Sequence, residues 1–215
     1  MIEEFKVACV QLNSNENVEA NLKIAGEFIH AACDAGAHFI LTPEYTPYFP
    51  NPQQSILKQT ISGWQPRILE YFCHLASRRH IWLNIGMVVL DEPGSSLLNR
   101  VYLINTLGKI VSTYDKIHLF DSYLTEQEVH VESKIYKAGQ NIVVEKIPWG
   151  NLTKNAHSLE LTCKDITLRL SRCLAHWRVP RKEKAFYFFS KFSQEPTFTN
   201  APSASHYNKT SAIFT

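Results

Sequence analysis

The chain has 215 residues, of which 45% are hydrophobic, and a formal net charge of +2 at pH 7. This composition supports a sizeable core and indicates a globular protein. No apolar run approaches the ~20 residues that a membrane-spanning helix needs, and the acidic start MIEEFK is unlike a secretory signal, so we expect a cytoplasmic protein.

Charge and composition change near Gly150. Residues 1–150 carry 12 Lys and Arg against 16 Asp and Glu, whereas residues 151–215 carry 10 against 4. The second part is also rich in Ser, Thr, Asn and Lys and shows little periodicity. We expect a single domain over residues 1–215, with a divergent part from residue 151 onward.

The beginning of the chain predicts a strand, a helix and a second strand. The apolar run FKVACVQL predicts the first strand. Apolar residues then recur at spacings of four and three, which places them on one helix face: Val18, Leu22, Ala25, Ile29 and Ala32. Asn15 or Asn17 can cap this helix and Gly36 can end it. HFILTP then predicts a second, buried strand.

Strands predominate in the next section. A second helix fits Gln65 to Arg79, and IWLNIGMVVL predicts another buried strand. After the turn DEPGSS, the segments RVYLINT and KIVSTYDKIHLF predict a hairpin around Gly108. The pattern as a whole predicts an α/β fold in which helices are inserted early.

A carboxylate follows directly where the strand HFILTP ends. Pro43 cannot extend a central strand, so Glu44 is presented at the carboxyl end of that strand. Open α/β sheets usually place ligands at this edge. Taken alone, Glu44 also fits a solvated acid in a loop.

Three other titratable residues need an interpretation. Lys116 lies between apolar residues in YDKIHLFD, where its ammonium could stabilise an oxyanion, although an ordinary surface ion pair fits the local pattern too. Glu132, in the polar loop HVESKIYKAGQN, carries almost no information by itself. His118 has no partner at metal-ligand spacing, which favours a packing or hydrogen-bonding role. The five cysteines are odd in number and form no CxxC pair, which argues against a disulfide framework or a zinc site.

The order of the segments resembles the carbon–nitrogen hydrolase (nitrilase/amidase) superfamily. The resemblance is continuous from about Lys6 to Gly150 and rests on VACVQLNSN, EANLKIAGEFIHAACDAGAHFILTPEY, NRVYLINTLGKIVSTYDKIHLFD, ESKIYKAGQ and VVEKIPWG. It implies an α-β-β-α sandwich, in which two sheets face each other with helices outside. It also implies hydrolysis of a non-peptide carbon–nitrogen bond in a small amide, or less readily a nitrile, without a metal or cofactor. Family members commonly form homo-oligomers.

The resemblance assigns roles residue by residue. Glu44 matches the family's general base, Lys116 its oxyanion-stabilising lysine, and Glu132 a second, assisting glutamate. Cys163 in LELTCKD is the candidate nucleophile, and Cys173 is a weaker alternative. In the family mechanism the glutamate takes the thiol proton, the thiolate forms a thioester, and the lysine stabilises the tetrahedral intermediate.

The cysteine motif departs from the family's pattern. Cys163 lies 13 positions beyond Gly150, which is further than usual, and ITLRL replaces the family's RFP. LELTCKDITLRL therefore also fits a plain hairpin with an inert thiol. Because nothing from Arg172 onward matches the family convincingly, we expect a sandwich that is incomplete at its C-terminus, with residues from about Asn151 divergent, truncated or out of frame.

Two other functional classes fit parts of the sequence. One is a catalytically inactive or truncated family member, whose incomplete sandwich would expose strand edges and apolar surface. The other is nucleic-acid binding by HWRVPRKEKAFYFFSKF, where aromatic rings could stack on bases. Such a stretch is more often a solvated face beside the core. We therefore favour a small amide or nitrile as partner, rather than nucleic acid or a membrane.

Overall fold

A computed structural model describes residues 6–49, 57–91, 96–123, 129–154, 159–163, 166–169, 186–190, 198–200 and 212–214. Its helices are α1, Val18–Asp34, and α2, Leu57–Arg79, and a 3₁₀ turn covers Glu132–Lys134. The first strands are β1 Lys6–Val10, β2 Phe39–Leu41, β3 Trp82–Leu90, β4 Leu97–Ile104, β5 Ile110–Asp115, β6 Asp121–Tyr123 and β7 Val129–Val131. The later strands are β8 Val143–Ile147, β9 Gly150–Lys154, β10 Leu159–Cys163, β11 Ile166–Arg169, β12 Phe186–Ser190, β13 Phe198–Asn200 and β14 Ala212–Phe214.

The strands form two main sheets. The first sheet has the order β13-β14-β12-β1-β2-β3-β4-β5, and the second has the order β11-β10-β9-β8. In the first sheet β1, β2 and β3 are mutually parallel, whereas β3, β4 and β5 form an antiparallel meander. The carboxyl ends of three neighbouring parallel strands therefore meet at one edge of the first sheet.

Helix α1 follows the predicted pattern. Asn17 caps it, since the side-chain oxygen of Asn17 accepts the N–H of Ala20 at 3.0 Å. Beyond its last turn, Gly36 adopts a φ of +88°, a conformation that suits glycine because it has no Cβ. The buried face of α1 packs on the first sheet through Ala25, Ile29 and Ala32.

Helix α2 begins at Leu57, eight residues before the predicted start at Gln65. Prolines favour the first turn of a helix, and a start beside Pro66 fits that preference. Here the helix runs through Pro66, which lacks an N–H and so leaves one backbone hydrogen bond unmade. Packing of Ile68, Phe72 and Ala76 into the core outweighs that loss.

Two apolar clusters cover the two faces of the first sheet. One joins that sheet to α1 and α2. The other joins the opposite face to β8 and β9, through Phe39, Leu41 and Leu103 on one side and Ile147 and Leu152 on the other. The layers are thus helix, sheet, sheet, and the predicted α/β class is confirmed. Within the described ranges no helix covers the outer face of the second sheet, and neither α1 nor α2 is long and apolar enough to cross a membrane.

Candidate active site

Three charged residues that are far apart in the sequence meet at the carboxyl edge of the parallel strands. The ammonium nitrogen of Lys116 lies 3.3 Å from Oε1 of Glu44 and 3.0 Å from Oε2 of Glu132. The structure therefore brings together three of the four predicted site residues. Their catalytic roles stay predictions.

The turn that carries Glu44 is held by buried threonines. The hydroxyl of Thr46 donates to Oγ1 of Thr42 at 2.6 Å and approaches the carbonyl oxygen of Pro43 at 2.7 Å. The backbone N–H of Thr46 donates to the carbonyl of Gly86 in β3 at 3.0 Å. Because both threonine side chains are fully buried, these bonds are not exposed to water, and the turn is fixed against the sheet.

Gly86 lets this turn approach β3 closely. A Cβ at that position would lie 2.5 Å from the carbonyl oxygen of Pro43 and 2.6 Å from Cα of Glu44. Both atoms belong to the backbone, which cannot move aside cheaply. The absence of a side chain at Gly86 is therefore what allows Glu44 its position.

Replacing Gly86 with alanine should lower the free energy of unfolding by about 1–3 kcal/mol, because the new methyl group pushes the Pro43–Glu44 backbone away from β3. Urea unfolding followed by circular dichroism measures the change. Gly63→Ala is the matched control, since a Cβ there meets nothing within 4 Å and alanine is the better helix former. Equal stability of wild type and Gly86→Ala would show that the turn adapts.

Lys116 is held through its backbone on both sides. It follows directly after β5, where its N–H donates to the carbonyl of Asn99 at 2.8 Å and its own carbonyl accepts the N–H of Gly139 at 2.9 Å. Asp115 precedes Lys116 and Arg100 follows Asn99, and these two neighbours form a two-point ion pair. The nitrogens of Arg100 lie 2.6 and 2.9 Å from the two carboxylate oxygens of Asp115. The backbone of Lys116, from which the side chain extends, is therefore fixed at the end of the meander.

Glu132 is the buried member of the cluster. Its Oε1 accepts the hydroxyl of Tyr45 at 3.2 Å, and its Oε2 accepts the backbone N–H of Phe120 at 2.7 Å. The side chain of Glu132 is 5% exposed, against 19% for Glu44. Glu44 is thus the carboxylate that a ligand can reach, while the bonds of Glu132 are taken up inside the protein.

The cluster keeps its lysine charged. Burial by itself would lower the pKa of Lys116, but Glu44 and Glu132 outweigh it and raise that pKa above its ordinary value. Burial raises the pKa of Tyr45 strongly, with help from Tyr136 and the two glutamates, and raises the pKa of Tyr136 to about 12. The hydroxyls of Tyr45 and Tyr136 are therefore neutral and Lys116 is charged at neutral pH.

Asn99 belongs to the site, although the sequence did not single it out. Its Nδ2 donates to Oε2 of Glu44 at 3.3 Å, and the residue is 2% exposed. An amide in the middle of the apolar strand LLNRVYLI was the available indication, because a buried amide needs a hydrogen-bond partner.

The proposed nucleophile occupies the end of a hairpin strand. Cys163 is the last residue of β10, which pairs antiparallel with β9 and with β11; Cys163 pairs with Ile166, and Leu161 pairs with Leu152. The hairpin considered as an alternative for LELTCKDITLRL is thus present. The assignment of Cys163 as nucleophile remains a prediction, and the weaker candidate Cys173 lies outside the described residues.

Two other cysteines are thiols on the helices. Cys33 in α1 and Cys73 in α2 are half-buried, and burial raises the pKa of each thiol. Raised values favour the unreactive protonated form. In the part of the chain that the structure describes, no group of three or more His, Cys, Asp or Glu side chains is arranged to hold a metal ion.

Comparison with known families agrees with this architecture. The model of the carbon-nitrogen hydrolase family matches residues 6–166. The chain belongs to the carbon-nitrogen hydrolase family. The match continues past Gly150, the boundary predicted from composition, and includes β9, β10 and Cys163.

Curated relatives in this family include enzymes named as amidases. The chain is 28% identical to the deaminated glutathione amidase of Dictyostelium discoideum over 154 residues, which cover 68% of this chain and 53% of the relative. It is 29% identical over 147 residues to the probable hydrolase nit2 of Schizosaccharomyces pombe, covering 67% of this chain and 53% of the relative. The chain thus spans about half the length of these relatives.

Solved structures share the fold. One is a mutant of the amidase from Nesterenkonia sp. AN1 that shows covalent addition of the acetamide moiety of fluoroacetamide at its active-site cysteine. It superimposes with a TM-score of 0.58 at 18% identity, over 69% of this chain and 54% of that chain. At this identity, the likeness shows that the two proteins share the fold.

Proposed function

We propose that the chain hydrolyses the carbon–nitrogen bond of a small amide, with Glu44 as general base, Lys116 as the cation that stabilises the oxyanion, and Cys163 as nucleophile. The observation that carries the proposal is the contact between a partly exposed carboxylate, Glu44, and an ammonium, Lys116, whose other side is held by the buried Glu132. A surface ion pair has no need of such a buried support.

The three residue types in the proposal match what attack on an amide requires. A thiol with a pKa near 8.5 is only partly ionised at neutral pH, so a nearby base must take its proton before it attacks the carbonyl carbon. The carbonyl oxygen then gains negative charge, which an ammonium at hydrogen-bond distance stabilises. Glu44 returns the proton to the leaving amine and activates the water that hydrolyses the thioester.

The two glutamates take different roles in this proposal. Glu44 moves the proton, because it is the more exposed carboxylate and its partners in the site are Lys116 and the amide of Asn99. Glu132 is a positioning residue that acts through Lys116, since its oxygens already accept bonds from Tyr45 and Phe120. An amide is favoured over a nitrile because the Dictyostelium relative carries an amidase name.

A second candidate function is a catalytically inactive family member. The hairpin of β10 and β11 is the observation behind it, because a cysteine at the end of a paired strand also fits a purely structural role. The two candidates differ in whether any small amide is turned over, and in whether turnover needs Cys163.

Ammonia release from a panel of small amides, measured with a reductant present, tests the proposal. We expect Glu44→Gln and Cys163→Ala each to lower kcat/KM by about 100-fold or more. Cys163→Ala removes the group that attacks the substrate, and Glu44→Gln removes the base that takes the thiol proton. Cys33→Ala is the matched control, since this half-buried thiol lies on α1, and it should retain full activity.

The alternatives give different results in the same assay. Unchanged ammonia release by Cys163→Ala would remove Cys163 as nucleophile, and loss of activity in Cys173→Ala would transfer that role. If the wild-type chain released ammonia from none of the amides, the inactive family member would replace the enzymatic proposal.

A further inference from the structure

Asn99 contacts both charged residues on which the proposed reaction depends. Its side-chain amide donates to Oε2 of Glu44 at 3.3 Å, and its backbone carbonyl accepts the N–H of Lys116 at 2.8 Å. One residue of β4 thus contacts the carboxylate through its side chain and the lysine through its backbone. No part of the reaction described above uses it.

The contact with Lys116 leaves the orientation of the Glu44 carboxylate undetermined. The ammonium lies 3.3 Å from Oε1 and 3.4 Å from Oε2, so these two distances do not distinguish the oxygens. The Asn99 amide does distinguish them, because it donates to Oε2. A carboxyl group that can rotate presents either oxygen to a thiol, whereas one held at Oε2 presents Oε1.

The position of Asn99 is itself rigid. Its backbone pairs with Val88 in the long strand β3, and its neighbour Arg100 is tied to Asp115. Because Asn99 is 2% exposed, water does not compete for its amide. A buried amide donor that loses its acceptor is costly, so the bond to Glu44 is favoured over an unpaired state.

We propose that Asn99 is a positioning residue that holds the Glu44 carboxylate against Lys116 and leaves Oε1 as the oxygen that accepts the thiol proton. This inference rests on the proposed function, because only that function makes the accepted proton the one from the thiol. The holding of Glu44 against Lys116 is a structural statement that can be measured without any turnover.

The test compares Asn99→Ala and Asn99→Ser with the matched control Asn84→Ala. Asn84 is a fully buried asparagine on β3 whose side-chain atoms have no hydrogen-bond partner among the described residues. Circular dichroism selects the Asn99 variant that folds. Trace labelling with acetic anhydride, followed by mass spectrometry, then gives the pH at which Lys116 becomes reactive, with exposed Lys109 as reference.

The labelling readout depends on the groups that face Lys116. These are Glu44 from the turn after β2, Glu132 from the 3₁₀ turn and Tyr114 from β5. Glu44 contributes to the raised pKa of Lys116, so Glu44→Gln should shift its labelling midpoint to lower pH. The Asn99 variants should shift it in the same direction by a smaller amount, because Glu44 is then free to turn away, and Asn84→Ala should leave it unchanged.

Activity provides the second readout. We expect the Asn99 variants to lower kcat by about 10- to 100-fold with KM changed less than about threefold, because a misplaced base slows the reaction more than it weakens binding. The inference would be overturned if a folded Asn99 variant kept the wild-type labelling midpoint of Lys116 while Glu44→Gln shifted that midpoint. Absence of turnover in the wild type would count against the proposed function, and the labelling result would still decide the role of Asn99.

Discussion

Replacing Lys116 with methionine should lower the free energy of unfolding by about 3–5 kcal/mol, because it leaves a buried carboxylate without its counter-charge. The side chain of Glu132 is 5% exposed and lies 3.0 Å from the ammonium that would be lost. Methionine keeps most of the length of the lysine stem, so packing changes little. Equilibrium unfolding in urea at pH 7 measures the effect.

A second substitution separates the charge from the packing. The double variant Lys116→Met/Glu132→Gln should recover part of the lost stability, because the neutral amide no longer needs a counter-charge. Lys137→Met is the control: its ammonium lies 3.5 Å from Asp91, but its side chain is 59% exposed. Such an exposed pair contributes about 0–1 kcal/mol. If Lys116→Met and Lys137→Met lowered the free energy of unfolding equally, burial would not strengthen the ion pairs of Lys116.

Replacing Lys154 with methionine should raise the free energy of unfolding on the order of 4 kcal/mol at pH 7. Lys154 in β9 is 2% exposed, and its ammonium lies 3.4 Å from the hydroxyl of Ser112 in β5. Burial lowers the pKa of Lys154 from 10.5 to about 7, and Glu145 only partly opposes that shift. The folded protein therefore binds this proton less readily than the unfolded chain does.

The pH dependence gives the sign of the effect. Between pH 7 and 10.5 the unfolded chain holds the Lys154 proton and the folded protein does not, so wild-type stability should rise with pH across this window. Below the folded pKa both states are protonated and the contribution is constant. Urea unfolding at several pH values should show this slope in the wild type and in the exposed control Lys146→Met, and not in Lys154→Met. The same slope in Lys154→Met would mean that another group causes it.

The parts of the fold predicted correctly are those set by local patterns. The spacing of apolar residues from Val18 to Ala32 and the cap at Asn17 predicted α1, and the glycine turn at Gly108 predicted the hairpin of β4 and β5. The start of α2 was wrong because tertiary packing carries that helix through Pro66. Local preference is a weak guide where burial supplies the stabilisation.

The site was predictable only where its residues belong to recognisable motifs. Glu44 follows a strand-ending proline and Lys116 lies in an apolar segment, so both stand out in the sequence. The amide of Asn99 was overlooked because its acceptor, Glu44, lies 55 residues away in the sequence. The ammonium of Lys154, outside the site, was overlooked because its burial depends on β9 joining the second sheet. Lys154 in particular follows GNLT, a stretch that looks like a solvated loop until β9 joins the second sheet.

The strand order of the first sheet also affects when the two sides of the site form. The meander of β3, β4 and β5 joins neighbours in the sequence, so its loops close at small entropic cost and it should form early during folding. That meander already contains Asn99 and ends at Lys116. Glu44 arrives only when β2 docks in parallel against β3, and β1 pairs with β12 across most of the chain. A folding intermediate in which only the meander has formed would therefore contain Asn99 and Lys116 in place, without the carboxylate of Glu44.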